Sequence, residues 1–388
     1  MLHGGEIGME IIKYTEEHKE FREAVRSFLE KEVTPHVDAW EEEGIVPKSV
    51  WKKMGEQGFL CMDLPDEYGG AGADFLYSVI LTEELARTHH TGLAAPLHSD
   101  IVVPYISAFG SEELKKKYLP GCVSGDIITA LAMTEPNAGS DLASMGTTAV
   151  EEEDYVVING QKTFISNGIL CDLLVLAARD PSVGNPYQAV DLYLVEAATP
   201  GFEKSKRLSK MGWRSQDTAE LYFSDCKIPK ENRLGMKGGG FLMLMQNLQQ
   251  ERLMCSVIAV AAAERIMDRT IIYCKEETES GKPLSKSQEN QFKIVEMTTE
   301  VKLGRTFLDK LIVEHMEGKN IVVEVSMAKY WTTEMAMRVA DGCLELHGGY
   351  GYLEENPIAR AWRDARVMSI FAGTNEIMKG IAAKFMGL

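Results

Sequence analysis

The 388-residue chain lacks any stretch of about 18 uncharged apolar residues, which is the length that a membrane-spanning helix needs. Its longest apolar run of note, residues 257–263, is far shorter. Basic residues are also scarce, since 41 Lys and Arg face 58 Asp and Glu and the net charge is −17 at pH 7. The short apolar runs predict no membrane span. Because a nucleic-acid backbone repels a negatively charged surface, we also expect no nucleic-acid partner.

The seven cysteines are widely spaced, and none belongs to a C-x-x-C pair. We therefore expect reduced, buried thiols in a cytoplasmic protein rather than disulfides. The eight histidines are scattered as well, which predicts no metal site. The opening segment MLHGGEIGMEII lacks the basic and apolar regions of a signal peptide. We expect a bacterial-type cytoplasmic location, or the mitochondrial matrix if a transit peptide was removed.

Missing motifs narrow the class of enzyme further. The chain has no G-x-x-x-x-G-K-[ST], no G-x-S-x-G and no H-E-x-x-H. Its glycine-rich residues 347–352 follow a predicted helix, so they lack the strand that precedes a dinucleotide-binding turn. We therefore do not expect a nicotinamide-binding or ATP-binding fold.

Periodicity divides the chain into three parts and predicts an α+β multidomain fold. Residues 1–126 form a predicted N-terminal helical domain, with apolar stripes over 21–33 and 77–86 and a helix capped by Ser111. Residues 237–388 show helical spacing over 241–275, 292–317, 321–346 and 374–385, with a stop at Gly348-Gly349. This predicts a C-terminal four-helix bundle.

The middle segment, residues 127–236, has the pattern of short strands. Runs at 155–158, 163–166, 173–178, 192–196 and 220–223 are separated by turn residues, which predicts a small β-sandwich or β-barrel domain. Asn159-Gly160 follows the first run and is a typical hairpin signal, so we expect a tight turn there.

One carboxylate interrupts an otherwise apolar helix face. Glu251 lies three residues after Leu248 and four before Cys255, in the middle of the stripe. Burial there would raise the pKa of the carboxyl toward neutrality, which suits a general base. The alternative is a surface Glu, or one paired with a neighbouring Arg. Gln249 and Gln250 flank it, and an error of one position would turn it outward.

Several motifs together resemble the acyl-CoA dehydrogenase family over nearly the whole chain. They are MTEPNAGSD at 133–141, GQK at 160–162, DT at 217–218, LHGGYGY at 346–352 and IFAGTNEI at 370–377. MTEPNAGSD alone is compatible with an ordinary turn, but the set in this order and spacing is specific. The resemblance implies the same order of helical, β and helical domains that periodicity predicts.

The resemblance implies an FAD-dependent reaction. The family removes two hydrogens across Cα–Cβ of an acyl-CoA thioester, with a carboxylate taking the α-proton and flavin N5 taking the β-hydrogen as hydride. The isoalloxazine side would be lined by Leu131, Met133, Thr134, Ser140, Phe164, Ile165 and Ser166. Other FAD contacts would come from Gln288, Gln291, Glu345, Gly348, Gly349, Thr374 and Glu376. Substrate contacts would come from Ser140, Gln249, Arg252, Ala372 and Gly373.

The family places its base at one of two positions. Many members carry Glu just before the Gly-Thr of the last motif, where this chain has Ala372. Members resembling the long-chain and isovaleryl-CoA enzymes carry it on the first long C-terminal helix, directly before Arg, as in Glu251-Arg252 here. The resemblance therefore also indicates Glu251 as the catalytic base. It implies the backbone N–H of Ala372 as donor to the thioester oxygen, and Arg252 as the group that orients Glu251 or the substrate.

Three positions differ from the family where it contacts the cofactor. Glu277 and Ser280 stand where members usually have an Arg and a Phe that reach the FAD of a neighbouring subunit, and Glu345 stands where many have Gln. The missing cation predicts weaker FAD binding. Two alternatives stay open: a member that has lost FAD and acts as a binding or assembly subunit, and an acyl-CoA oxidase that reacts with O₂.

The resemblance also implies partners. They are an acyl-CoA substrate, an electron-transferring flavoprotein as electron acceptor and, in the assembly, further copies of the chain in a homotetramer. The sequence leaves the acyl group open. We expect a medium-to-long or branched chain, with an alicyclic or aromatic acyl group as the next choice.

Overall fold

The computed structural model describes residues 11–90, 92–276 and 281–388. The N-terminal part is helical, as predicted, and a π-helical turn, Leu97–Val102, runs directly into its fifth α-helix. Ser111 caps a helix as expected, because its hydroxyl accepts a hydrogen bond from the backbone N–H of Leu114 at 3.3 Å. The α-helices here are α1 (Glu16–Glu32), α2 (Val37–Glu43), α3 (Lys48–Glu56), α4 (Phe75–Arg87), α5 (Val103–Phe109) and α6 (Glu112–Val123).

The middle part forms a mixed sheet, which confirms the β domain. The strands are β1 (Thr129–Ala132), β2 (Thr148–Glu151), β3 (Tyr155–Ile165), β4 (Leu173–Arg179), β5 (Val190–Glu196), β6 (Phe202–Arg207), β7 (Ala219–Pro229) and β8 (Arg233–Leu234), with a short helix α7 (Pro186–Ala189) before β5. The order of strands in the sheet is β6-β7-β3-β2-β4-β5-β8, and β1 pairs in parallel with β4.

Strand β4 is buried on both faces, which explains its continuous apolar sequence. One set of alternate residues packs with the N-terminal helices, and the other packs within the sheet domain. The first set is Leu173, Val175 and Ala177, and the second is Leu174, Leu176 and Ala178. The helical and β domains therefore share one strand as a common wall.

The hairpin expected at Asn159-Gly160 is wrong. Strand β3 continues to Ile165 and stays paired with β7, with a register shift between Ile158 and Gly160. Glycine is needed there for close approach, because a Cβ on Gly160 would lie 2.5 Å from Thr147 Oγ1. The Asn159 amide instead bonds Asp225 on β7, accepting from its backbone N–H at 2.8 Å. The two residues serve a bulge and not a turn.

The C-terminal part confirms the predicted helices and adds one. It contains α8 (Gly240–Lys275), α9 (Gln288–Met316), α10 (Val322–His347), α11 (Pro357–Ala365) and α12 (Asn375–Phe385). Helices α8, α9 and α10 pack against one another, and α11 and α12 pack against α10. Helix α9 starts four residues before the predicted 292, because its first turn is exposed and carries no apolar stripe.

Several expectations from composition can be compared with the structure. All seven cysteines are free and buried, as predicted. Within the described ranges, no helix combines the length and the apolar composition needed to cross a bilayer. The same residues include no group of three or more His, Cys, Asp or Glu side chains placed to hold a metal ion.

A buried ion pair fastens the MTEPNAGSD segment to β3. Lys162 is fully buried, and its Nζ donates to Glu135 Oε1 at 2.7 Å and to the carbonyl of Met133 at 3.0 Å. Glu135 also accepts from the backbone N–H of Thr147 at 3.0 Å. Burial lowers the pKa of Lys162 to about 8, against the opposing effect of Glu135. The ammonium of Lys162 on β3 thus holds the MTEPNAGSD segment in place through these two hydrogen bonds.

We predict that Lys162→Met destabilises the protein by about 3–5 kcal/mol, because it leaves the Glu135 carboxylate buried without a cation. The matched control is Lys117→Met, since Lys117 pairs with Glu196 at the surface, where both side chains are about half exposed. That change should cost less than about 1 kcal/mol. Urea unfolding of the two variants checks the difference, and equal losses would contradict a structural role for the buried pair.

Candidate active site

Glu251 lies inside the protein, on the face of α8 that the apolar stripe predicts. It is 3% exposed, and its stripe neighbours Leu248 and Cys255 are buried with it. Helix α8 packs against α4, α9 and α10, so this face is enclosed. The alternative of a surface Glu is therefore wrong.

The carboxyl of Glu251 meets a phenol from the N-terminal domain. Tyr105 on α5 is fully buried and donates its hydroxyl to Glu251 Oε1 at 2.6 Å. Burial raises the pKa of Glu251 to about 7, while the Tyr105 hydrogen bond and the positive charge of Arg252 act to lower it. A carboxyl with this pKa can accept or release a proton near neutral pH.

Two segments predicted for the isoalloxazine side lie next to each other. The backbone N–H of Thr163 donates to the carbonyl of Thr134 at 2.9 Å, which joins the MTEPNAGSD segment to the end of β3. Phe164 then projects outward, 68% exposed, from a left-handed backbone with φ of +58°. Ile165 is buried, and Ser166 is half-buried. An exposed aromatic ring beside a fixed loop is a surface that suits a planar ligand.

The other residues predicted for the isoalloxazine side lie in the MTEPNAGSD segment or, for Leu131, on β1 just before it. Leu131, Met133 and Thr134 are half-buried, and Ser140 is exposed. Their partial exposure leaves side-chain atoms free to touch a ligand. A role in binding flavin or thioester stays a prediction for each of them.

The last motif has an unusual backbone at the position predicted for the oxyanion donor. Ala372 adopts φ of +50°, which L-residues other than glycine rarely do. Beside it, the carbonyl of Gly373 accepts a hydrogen bond from Lys329 Nζ at 2.7 Å, and Asn375 Oδ1 accepts another at 3.2 Å. Lys329 is fully buried on α10. A buried ammonium therefore holds the loop in a conformation that alanine alone does not favour.

The middle domain reaches this loop through Trp213. Its ring packs edge-to-face on Phe371, with centroids 5.3 Å apart, and its backbone N–H donates to Asp364 Oδ1 at 2.6 Å. Three residues further along, the side-chain amide of Gln216 bonds Asn167, which follows Ser166. These contacts bring the end of β3 and the last motif to one side of the molecule.

A groove of about 550 Å³ lies between α10 and the start of α12. It includes Thr374 and Glu376, both predicted near the cofactor, together with Arg338 and Arg366. Arg338 is paired with Glu300 at 2.7 Å, and carboxylates of Glu334, Asp341 and Glu376 also line the groove. Arg366 and Thr374 are therefore the groups in it that suit a phosphate, and Phe164 suits a flavin ring. The residues present are thus compatible with FAD. Glu345 lies on the same face of α10, one turn beyond Asp341 of the groove.

Other predicted cofactor residues lie at the beginning of α9 and the end of α10. Gln288 and Gln291 are exposed in the first turn of α9, and Glu345 contacts α9 through Lys293 at 3.5 Å. Gly348 and Gly349 are exposed where α10 ends, as predicted for the stop. Glu277 and Ser280 lie outside the described residues. The roles of these positions stay predictions.

The two side chains near Glu251 that are predicted to contact substrate, those of Gln249 and Arg252, differ in what they bind. Gln249 Oε1 accepts from the backbone N–H of Ile321 at 2.9 Å, so its amide is bound to the α9–α10 connection. Arg252 is 5% exposed, and its Nε has no hydrogen-bond partner. An unsatisfied buried guanidinium N–H is costly, and a bound anionic or carbonyl group would satisfy it. Substrate contacts of both residues stay predictions.

Sequence patterns did not identify Tyr105 or Lys329 as candidate site residues. Lys329 has a signal like that of Glu251, since it lies in an apolar helix between the buried Val325 and Thr332. Tyr105 has no such signal, because its hydroxyl matters only through a partner 146 residues away.

The fold agrees with comparisons to known proteins. Family models of the N-terminal, middle and C-terminal domains of acyl-CoA dehydrogenase match residues 15–126, 130–226 and 238–387. The chain therefore belongs to the acyl-CoA dehydrogenase family, a class of flavoprotein oxidoreductases.

Individual relatives cover nearly the whole chain. The mitochondrial long-chain specific acyl-CoA dehydrogenase of Sus scrofa is 42% identical over 96% of this chain and 86% of its own length. A 3-(aryl)acrylate reductase of Clostridium sporogenes is 33% identical over 95% of this chain and 98% of its own. The crystal structure of an acyl-CoA dehydrogenase from Geobacillus kaustophilus is 54% identical with a TM-score of 0.95, covering 97% of this chain and 99% of that one.

The raised pKa of Glu251 makes a prediction about stability. Folding favours the protonated carboxyl, so its contribution is fully present below the unfolded pKa near 4.5 and is lost as pH rises through about 7. Glu251→Gln should therefore gain stability relative to wild type between these pH values, by as much as roughly 3 kcal/mol, and no further above them. Unfolding measured at several pH values checks this.

The control for this experiment is Glu196→Gln. Hydrogen bonds from Lys117 and Tyr118 lower the pKa of Glu196, so its contribution to stability is present above the unfolded pKa. Its variant should gain nothing as pH rises from 5 to 8. A flat difference for Glu251→Gln over the same range would mean that Glu251 does not titrate there.

Proposed function

We propose that the protein is an FAD-dependent acyl-CoA dehydrogenase that converts an acyl-CoA to a trans-2-enoyl-CoA with Glu251 as the base. The observation that carries this proposal is a carboxyl on a packed helix face with its pKa raised to about 7. Family membership supplies the reaction class, and Ala372 lacks a side chain able to act as base.

Each residue of the site has a part in this reaction. Glu251 takes the α-proton, and the positive charge of Arg252 favours the ionised carboxylate that can accept it. The backbone N–H of Ala372 donates to the thioester oxygen as negative charge builds there. Lys329 stabilises the backbone beside this donor, because its ammonium donates a hydrogen bond to the carbonyl of Gly373. Bound FAD would accept the β-hydrogen as hydride.

The FAD would contact the chain on two surfaces. Phe164, Met133 and Thr134 would support a flavin ring, and Thr374 and Arg366 in the groove would contact the phosphates. One guanidinium nitrogen of Arg366, Nη1, donates to Ser369 Oγ at 2.8 Å, and this bond uses one of the five N–H donors that a guanidinium carries.

We predict that Glu251→Gln keeps bound FAD and acyl-CoA but slows flavin reduction by about 10²–10⁴-fold, the usual effect of a positioned base. Stopped-flow absorbance of the flavin after mixing with acyl-CoA measures this. Adding Ala372→Glu should restore part of the rate, and only part, because a Glu at φ of +50° is strained. Glu196→Gln serves as the control and should reduce at the wild-type rate. If Glu251→Gln does so too, Glu251 is not the base.

We further propose an electron-transferring flavoprotein as the electron acceptor. After reduction by acyl-CoA, the enzyme should be reoxidised faster by that flavoprotein than by dissolved oxygen. Stopped-flow reoxidation with each acceptor measures the two rates. Rapid reoxidation in air with release of hydrogen peroxide would instead identify an acyl-CoA oxidase. A colourless purified protein that binds no added FAD would identify a binding or assembly subunit.

The substrate and the assembly belong to the same proposal. We favour a medium-to-long or branched acyl chain, with alicyclic or aromatic groups next, and a substrate panel would rank them. We also favour a cytoplasmic homotetramer. Helix α9 supports an assembly, since Phe292, Val295 and Leu303 are each more than half exposed at helical spacing.

A further inference from the structure

We propose that Tyr105 is a positioning residue for the base: it fixes Oε1 of Glu251 and leaves Oε2 as the oxygen that removes the α-proton. This rests on the proposed function of Glu251. The two groups come from different domains, and their hydrogen bond is 2.6 Å long. Both side chains are buried, so water does not compete for the bond.

The direction of Tyr105 depends on the turn that precedes α5. Residues Leu97–Val102 are π-helical, and the N–H of Val103 donates five residues back to the carbonyl of His98. A π turn holds one residue more than an α turn, so it rotates the following helix by about 100° relative to a continuous α-helix. Tyr105 lies in the first turn of that rotated helix and faces α8.

A second bond fixes the same pair of helices. In an α-helix the carbonyl of Asp100 would accept from residue 104, but Pro104 has no N–H. Gln250 Nε2 donates to that carbonyl at 2.7 Å instead. Gln250 precedes Glu251 on α8, so two short bonds at adjacent residues of α8 join it to the segment that carries Tyr105.

The amide of Gln250 is itself oriented. Its Oε1 lies 3.3 Å from His315 Nε2, and Gln249 Nε2 lies 3.3 Å from His315 Nδ1. Burial lowers the pKa of His315, so the ring is neutral. The tautomer with the proton on Nε2 satisfies both contacts, because it donates to Gln250 and accepts from Gln249. The amide nitrogen of Gln250 is thereby directed to Asp100.

The electrostatic effect of Tyr105 has a definite sign. Burial and the nearby Glu251 raise the pKa of Tyr105, so the phenol keeps its proton and donates. Donation to a carboxylate favours the ionised form, against the burial that raises the pKa of Glu251. Without the hydroxyl, Glu251 should ionise at higher pH.

Two further titratable groups on α8 interact with Glu251. Arg252 acts on it through its charge, and the thiol of Cys255 faces both Glu251 and Lys329 of α10. Groups on the neighbouring elements have other partners. On the π-helical turn, the Asp100 carboxyl faces Ser78 of α4 and Asp63. On α9, both ring nitrogens of His315 hydrogen-bond Gln249 and Gln250. Among these groups, Tyr105 is the one that donates a hydrogen bond to Glu251, so its substitution tests the proposal directly.

The test is Tyr105→Phe in the FAD-loaded enzyme, with Tyr118→Phe as the matched control. Tyr118 is also a buried tyrosine that donates to a glutamate, Glu196, at 2.8 Å, but in another part of the molecule. We expect Tyr105→Phe to raise the pKa in the pH profile of flavin reduction by about one unit. The rate should fall about tenfold below that pKa and stay near wild type well above it. Tyr118→Phe should leave the profile unchanged.

A second measurement needs no turnover. The infrared carboxyl band that disappears in Glu251→Gln reports the protonation of Glu251, and its titration should move upward in Tyr105→Phe by the same amount. If no acyl-CoA reduces the flavin of the wild-type enzyme, the proposed function fails while this titration still tests Tyr105. An unshifted titration, or an equal loss of rate at every pH, would overturn the proposal. Should Tyr105→Phe not fold, difluorotyrosine placed at 105 keeps the shape, strengthens the donor and should move the titration downward.

Discussion

The site depends on one constraint, that an ionisable group inside the protein must have polar partners. Three parts of the predicted site are fastened by such a group. Lys162 binds the carbonyl of Met133 in the first motif, and Lys329 binds the carbonyl of Gly373 in the last. Glu251 is bound by the hydroxyl of Tyr105. Since a buried charge without its partner is expensive, these contacts specify where the loops and the carboxyl sit relative to the helices and the sheet.

These contacts also show how each part of the chain supports residues that are predicted for the site. The first motif is supported from within the sheet, the last motif from α10, and the carboxyl from α5. Trp213 then joins the sheet domain to the last motif through Phe371 and Asp364. The loops themselves have little regular structure, so their precision comes from the rigid elements beneath them.

The periodicity of apolar residues correctly predicted the features that depend on neighbouring residues in the sequence. The stripe that ran through Leu248, Glu251 and Cys255 predicted both the helix and the inward carboxyl, because helix periodicity fixes which residues share a face. Asn159-Gly160 misled, because the same dipeptide suits a turn and a bulge, and only the pairing of β3 with β7 decides between them. Tyr105 was beyond reach, since its direction follows from a π-helical turn and its partner lies on a distant helix. The resemblance named the cofactor positions, which no periodicity could indicate.

In the proposed reaction, the backbone N–H of Ala372 is the hydrogen-bond donor and Glu251 is the base. Two roles that one residue often combines therefore belong to separate residues. The direction of the Ala372 N–H is set by the main chain and by the ammonium beneath Gly373, and neither depends on which side chain the residue carries. Its methyl group fills little space. A site built in this way can keep its hydrogen-bond donor in place while the acidic group is supplied from a different element. The loop and the helix then each supply one part of the proposed chemistry, and the small methyl group of Ala372 is the side chain that the strained backbone tolerates best.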